Sequence, residues 1–183
     1  MGGLNHPSRG QMLVDSLDLY ELSSEQRADF RSEYIGIIFQ SFQLISYLTV
    51  LENIKMPMAI TGITATKQDE MARSVLEKVG LSDKGDRLPD QLSGGEQERV
   101  AIARAIVNNP PILLADEPTA NLDRETAGMI ITLMQQMRDE FGTTFVFSTH
   151  DPRVVQNVET IFTIEDGKLQ ATSSDSKGGG YHV

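Results

Sequence analysis

The chain has 183 residues, enough for one sizeable α/β domain with a real core, and 26 acidic against 16 basic side chains give a formal charge of −10. That balance argues against a nucleic-acid partner, which asks for a basic face, and the lack of cysteine excludes a disulfide framework. No apolar run approaches the roughly 18 residues that span a bilayer, and the N-terminus lacks the basic-then-apolar order of a signal peptide, so a soluble cytoplasmic domain is expected.

Gln11 to Asp18 alternates apolar and polar residues around Asp15-Ser16, which reads as a short antiparallel hairpin. Ser23-Ser24-Glu25-Gln26 is a capping box that opens a helix through Phe30. Ile35 to Phe39 reads as a buried strand that delivers Gln40 at its C-terminal end. From Leu48 to Pro89 the pattern turns helical. Leu51, Ile54, Met58 and Ile60 form one face, broken by Pro57, and Gln68 to Val79 forms a second helix stopped by Gly80. The methionines of this block read as core filler.

Two chemical devices follow. Ser93 and Glu96 form another capping box, opening an amphipathic run through Arg99, Ile102, Ala103 and Ile106. A cap accounts for Ser93 and Glu96 but not for Gly94 and Gly95, since glycine in a helix costs about 1 kcal/mol relative to alanine. Bare amides at a helix start favour an anion, and a phosphate site is the reading preferred over a plain cap. The second device is Ile112 to Ala115, a short apolar run suited to a parallel strand buried on both faces, ending in Asp116-Glu117-Pro118. Two adjacent carboxylates there repel each other, and a divalent cation removes that cost. In open α/β sheets the ligand lies outside the carboxyl ends of the strands, where these acids fall.

Glu125 to Phe141 has helical spacing and stops at Gly142, and Thr144 to Ser148 is the next strand, followed by His150. Asp116 to His150 is therefore one strand-helix-strand crossover with parallel strands, which puts Glu117 and His150 at the same sheet edge. Glu159 to Glu165 and Lys168 to Thr172 make a hairpin through Asp166-Gly167. Ser173 to Val183 is Ser/Gly-rich and reads as a flexible tail in which His182 carries no function.

Leu92-Ser93-Gly94-Gly95-Glu96 followed by Ile112 to Asp123 resembles the signature motif, Walker B strand and D-loop of the ATP-binding-cassette (ABC) ATPases. Phe39-Gln40-Ser41-Phe42, Leu48 to Asn53 and Phe147 to Pro152 resemble the branch that serves lipoprotein release, macrolide export and cell division. The resemblance runs from about Gly10 to Leu169. It implies an α/β fold with a P-loop NTPase-like parallel sheet core, an inserted helical subdomain over 44–90 and a small antiparallel β portion, all within an ATPase domain of residues 1–172.

The resemblance also implies ATP and Mg²⁺ as cofactors. Glu117, His150 and Gln40 would be catalytic, and Asp116 and Gln40 would hold the metal. Leu92, Ser93, Gly94, Gly95, Glu96 and Asp123 would bind the cofactor, with Asn121 and Asp123 crossing the interface of a head-to-tail dimer. The second partner would be a membrane permease that receives the helical subdomain, which places the subunit peripherally on the inner face of the cytoplasmic membrane.

Neither Gly-Lys-Ser nor Gly-Lys-Thr occurs anywhere in the chain. The first strands and the phosphate-binding loop with its helix are therefore expected to be missing, and the isolated polypeptide is expected to be inactive with weak nucleotide affinity. Alternatives to a transport role are a non-transport ABC ATPase of the cell-division type and a catalytically inactive fragment. A DNA-repair or chromosome-organising ATPase would need long coiled-coil insertions that 183 residues do not hold.

Overall fold

Small polar side chains set most of the helix starts, and the longest helix ends on a glycine. In this computed structural model, which describes residues 2–14 and 16–174, the first hairpin is β1 (Leu13–Val14) paired antiparallel with β2 (Leu17–Asp18). Helix α1 (Ser24–Tyr34) opens on the Ser23–Gln26 capping box and runs four residues beyond Phe30. It leads straight into β3 (Ile35–Ile38), which stops before Phe39; that ring is 39% exposed, outside the strand expected to bury it.

Helix α2 (Val50–Lys55) opens on a capping box of Thr49 and Glu52 and passes into a 3₁₀ turn at Met56–Met58 around Pro57. Leu51, Ile54 and Met58 are buried as their spacing suggested, but Ile60 is 78% exposed. The 3₁₀ turn advances the chain differently from an α-helix, so the fourth residue of the expected stripe swings outward. Helix α3 (Ala65–Lys78) starts three residues earlier than Gln68. A second 3₁₀ turn, Pro89–Gln91, precedes α4 (Gly94–Ile106).

Strand β4 (Ile112–Asp116) comes next, then α5 (Arg124–Phe141), capped by Asp123 and ended by Gly142 in the left-handed conformation. Strand β5 (Thr144–Ser148) completes a three-stranded parallel sheet in the order β3-β4-β5. Ile38 faces Ala115, and Asp116 faces Ser148, so the carboxyl ends of all three strands lie at one edge.

Burial alternates along β3 and β4. Gly36, Ile38, Leu113 and Ala115 are buried, while Ile35, Ile37, Ile112 and Leu114 on the other face are half-buried. The expectation that β4 is buried on both faces holds for one face only. On the buried side α4 lies very close to β3: a Cβ on Gly36 would come within 2.3 Å of the Ala105 carbonyl oxygen, so no other residue fits there. Helix α4 packs on α2, α3, α5 and β3, and one continuous core joins Ile54, Met58 and Leu76 to Ile102, Leu113 and Ile130. The helical stretch is thus welded to the sheet through α4. Met58, Met134 and Met137 fill this core, whereas Met56 and Met129 are exposed.

The chain divides into two compact units, Met1–Ser148 and Thr149–Val183. Within the second, Asp151 caps the short α6 (Pro152–Val155), and β6 (Thr160–Glu165) pairs antiparallel with β7 (Lys168–Ser174). Their turn has positive φ at both Asp166 (50°) and Gly167 (72°), as a two-residue hairpin requires. Ser173 and Ser174 extend β7, so they are strand and not tail; the remainder of the expected tail, with His182, lies outside the described residues. No helix among the described residues is long and apolar enough to cross a membrane.

Candidate functional site

Strand β4 ends with Asp116 exposed and Glu117 half-buried immediately beyond it. Glu117 has φ 46°, a left-handed backbone unusual for a residue with a long side chain, and its N–H donates to the Ser148 carbonyl at 2.8 Å. That bond extends the β4–β5 ladder by one rung and fixes the backbone carrying the carboxylate. Pro118 and Thr119 then turn into the interior, and Ala120 N–H donates back to Glu117 O at 3.1 Å. Backbone strain of this kind costs on the order of 1–3 kcal/mol and gathers at functional sites.

Gln40 lies two residues past β3 and is exposed. Its carbonyl accepts from Asn121 Nδ2 at 2.7 Å, so the turn after β4 holds the turn after β3. Here the Asn121 carboxamide is used within the chain, although the resemblance pointed it across a dimer interface. The structure therefore brings Asp116, Glu117 and Gln40 to one sheet edge. His150 is exposed, follows β5 by two residues and belongs to the second unit.

The turn into α4 forms a second cluster. Ser93 N–H and Oγ both donate to Glu96 Oε2, at 2.8 and 2.9 Å, and Lys84 Nζ lies 3.5 Å from Glu96 Oε1. Those bonds hold the Glu96 carboxyl below the ordinary carboxylate range, the Ser93 amide foremost and the Ser93 hydroxyl next. Leu92 is a core residue whose N–H donates to Pro89 O and whose carbonyl accepts from Gln97 Nε2. Its side chain is buried and both of its backbone groups are bonded within the chain, so in this structure it braces the cap residue Ser93.

The glycines divide. A Cβ on Gly95 would come within 2.4 Å of Thr126 Cγ2, so Gly95 is required by packing against the start of α5. A Cβ on exposed Gly94 would meet only Leu122 Cδ2 at 3.8 Å, an ordinary contact. Packing thus accounts for one glycine that the phosphate argument had claimed.

The Gly95–Thr126 contact sets this turn beside the Asp123 cap. Asp123 accepts from Thr126 Oγ1 at 2.6 Å and from the Glu125 and Thr126 amides at 3.0 Å. These bonds, the Thr126 hydroxyl first, hold its carboxyl below the usual range. Asp123 is therefore committed to starting α5.

Three buried or half-buried polar side chains went unnoticed in the sequence, two of which hold the loop that carries Gln40. Asn53, fully buried, grips the loop before α2 by accepting from Ile45 N–H and donating to the Ile45 and Leu48 carbonyls. Arg104 of α4 donates to the Phe42 and Gln43 carbonyls. Glu98 is 1% exposed with no partner on either carboxylate oxygen, and desolvation pushes its carboxyl up to about 8 against the opposing pull of Arg104. A Thr-x-x-Glu pattern at 49–52 was a readable sign of the first of these loops; nothing local distinguishes Arg104 from a surface cation.

Residues 1–120 match the model of a family described as ABC transporter. The chain belongs to the ABC transporter family. It is 41% identical over 179 residues to the lipoprotein-releasing system ATP-binding protein LolD of Shewanella frigidimarina, covering 98% of this chain and 75% of that protein. It is also 41% identical over 175 residues to the macrolide export ATP-binding/permease protein MacB of Syntrophobacter fumaroxidans, covering 94% of this chain and 24% of that one. Among solved structures, the dimeric post-hydrolysis state of the ATP-binding cassette MJ0796 bound to ADP and Pi superposes with a TM-score of 0.85 at 36% identity, covering 94% of this chain and 76% of that one.

The donor chemistry of this ABC ATPase chain fits part of a nucleotide site. Mg²⁺ takes one or two carboxylates and completes its shell with substrate phosphates and water, which suits the Asp116–Glu117 tip with Gln40 following the neighbouring strand at the same sheet edge. The Gly94 and Gly95 amides, first-turn donors of α4, suit a phosphate.

Proposed function

We propose that this chain is the ATP-hydrolysing subunit of a bacterial ABC transporter that energises lipoprotein release or export. Similarity to LolD and MacB supports that task. Its partners in this reading are a membrane permease and a second cassette docked head to tail, with the subunit lying peripherally on the cytoplasmic face of the membrane. The dimeric MJ0796 structures support the pairing. The observation that carries the hydrolytic role is the tip of β4, where two carboxylates stand at the carboxyl edge of a parallel sheet on a strained, doubly anchored turn.

Bound ATP and Mg²⁺ would supply the reacting phosphoryl group and the positive charge that offsets it. Asp116 would hold the cation, with Gln40 beside it. Glu117 would orient the attacking water and accept its proton, on a backbone that the Ser148 carbonyl keeps from drifting. The Gly94 and Gly95 amides would donate to a phosphate presented by the partner cassette, joined by the Ser93 hydroxyl once it turns from Glu96, and His150 would donate from the loop after β5. Such a site works by positioning and charge complementarity, without a covalent nucleophile.

In a cassette that pairs these residues with a phosphate-binding loop, Glu117→Gln is expected to cut turnover by roughly 10²-fold or more while ATP-driven dimerisation survives. Steady-state phosphate release and size-exclusion chromatography with ATP measure both. Turnover at the parental rate would remove Glu117 from the role of base.

A further inference from the structure

The loop that carries Gln40 contains two consecutive residues in the left-handed region, Phe42 at φ 59° and Gln43 at φ 50°. Neither is glycine or asparagine, so the backbone is strained at both and must be held by its surroundings. Local bonds start the turn: Phe42 N–H donates to Phe39 O at 3.0 Å and Gln43 N–H to Ser41 O at 2.6 Å. The two strained carbonyls, however, go to a single side chain. Arg104 Nη2 donates to Phe42 O at 2.7 Å and Nη1 to Gln43 O at 2.5 Å. A guanidinium presents both donors in one fixed fork, which a lysine cannot do.

Arg104 sits near the end of α4, the helix that begins beside Ser93, ten residues after Gly94 and therefore about 15 Å along its axis. Glu98 of the same helix makes no hydrogen bond to it, so these guanidinium donors serve the loop. The remaining ties lie on either side: Asn121 on the Gln40 carbonyl and Asn53 on Ile45. The other bonds made by the strained pair stay inside the loop, with Gln43 Nε2 donating to Ser41 Oγ at 2.8 Å beside the two amide bonds, so among the described residues Arg104 is the side chain that ties the pair to another element.

We propose that Arg104 is a positioning residue that locks the Phe42–Gln43 turn to α4, so that the aim of Gln40 and the seating of the Ser93–Glu96 turn are set by one rigid piece. This rests on the ATPase reading only in what Gln40 does; the lock itself is a property of the nucleotide-free chain.

Hydrogen exchange on the nucleotide-free chain tests it. Arg104→Met is expected to speed exchange at the Phe42 to Ile45 amides about tenfold, the loss of hydrogen bonds from a charged donor, with β4 and α5 unchanged. Arg104→Lys should fall between. Adding Gln43→Gly to Arg104→Met should recover about threefold or more of the lost protection, because glycine accepts positive φ without the Cβ penalty.

Unchanged loop exchange, loss spread evenly over α4, β4 and α5, or no recovery by Gln43→Gly would each overturn the lock. In a cassette competent for turnover, Arg104→Met should lower kcat with KM held within about twofold, the pattern of lost transition-state positioning. A parental cassette with no turnover at all would sink the ATPase reading and leave the exchange result standing.

Discussion

Helices α2 and α4 begin with the same hardware and use it differently. Thr49 and Glu52 form a capping box with bonds of 2.8, 2.9 and 3.3 Å, and Ser93 and Glu96 repeat it at 2.8, 2.9 and 3.4 Å. One residue later a carboxamide reaches back to the preceding loop in both: Asn53 Nδ2 to Leu48 O at 3.0 Å, Gln97 Nε2 to Leu92 O at 3.2 Å. Between the box residues the two part. Val50 and Leu51 are buried and their amides donate to the Arg87 and Gly85 carbonyls. Gly94 is exposed and Gly95 half-buried. At the next helical position Ile54 is fully buried in α2, and α4 places the acid of Glu98 there. The lesson is that the cap specifies where a helix starts, and the residues inside it decide whether its first amides are spent on the fold or left for something else.

The largest way to break the comparison is at Glu98. Its carboxyl titrates near 8 folded against an ordinary 4.5, so the folded chain binds more protons and stability falls as pH rises across that window, levelling above it. Glu98→Met, which makes α4 resemble α2, should remove this slope and raise stability at pH 8 by several kcal/mol. Urea midpoints at pH 5 and pH 8 read it; a slope that persists in the variant would assign the effect elsewhere.

Next is the glycine pair. Alanine at Gly94 should stabilise by up to about 1 kcal/mol, whereas alanine at Gly95 should cost about 1–3 kcal/mol through overpacking. Thr126 cannot simply rotate its methyl away, because its hydroxyl is held by Asp123. Thr126→Ser keeps that hydroxyl, drops the methyl and should restore Gly95→Ala; thermal unfolding of the single and double variants decides.

Thr49→Ala and Ser93→Ala should each cost about 1 kcal/mol, and similar costs would show that the two boxes are equivalent as caps despite their different interiors. Circular dichroism melts are sufficient. The smallest effect is in acid. Glu52 and Glu96 are both held below the ordinary carboxylate value by their cap residues, the backbone amide leading in each. Their contribution is present above the unfolded value and is lost as pH falls through the folded one, so both helix starts should loosen together in the same acid window. Amide chemical shifts of Glu52 and Glu96 against pH would show whether they do.

Elements with strong local signals were legible. The Ser23 and Ser93 boxes, the β4–α5–β5 crossover, the Asp166-Gly167 turn and the glycine stop of α5 follow from side chains within a few residues of each other. Less legible was whatever depends on a distant partner. Gly95 reads as a glycine chosen for its bare amide until Thr126 is seen to need the space of a Cβ as well, and Ile60 fits a helical stripe until Pro57 changes the pitch. Leu92 belongs to a motif yet spends its side chain in the core. Of the site, the acids at the end of β4 were readable from an apolar run that stops in two charges. Arg104 was not, because its purpose is visible only in the carbonyls of a loop some sixty positions away.

The left-handed backbone at Glu117 has a consequence for how this protein can drift. Asparagine or glycine would occupy that conformation more comfortably, so the fold alone favours exchanging the acid for something smaller. Variants chosen only for endurance to heat would be drawn toward that exchange and would keep their shape while losing the carboxylate. A glutamate at this spot is held against the preference of its own main chain, and selection for endurance alone has no reason to keep it.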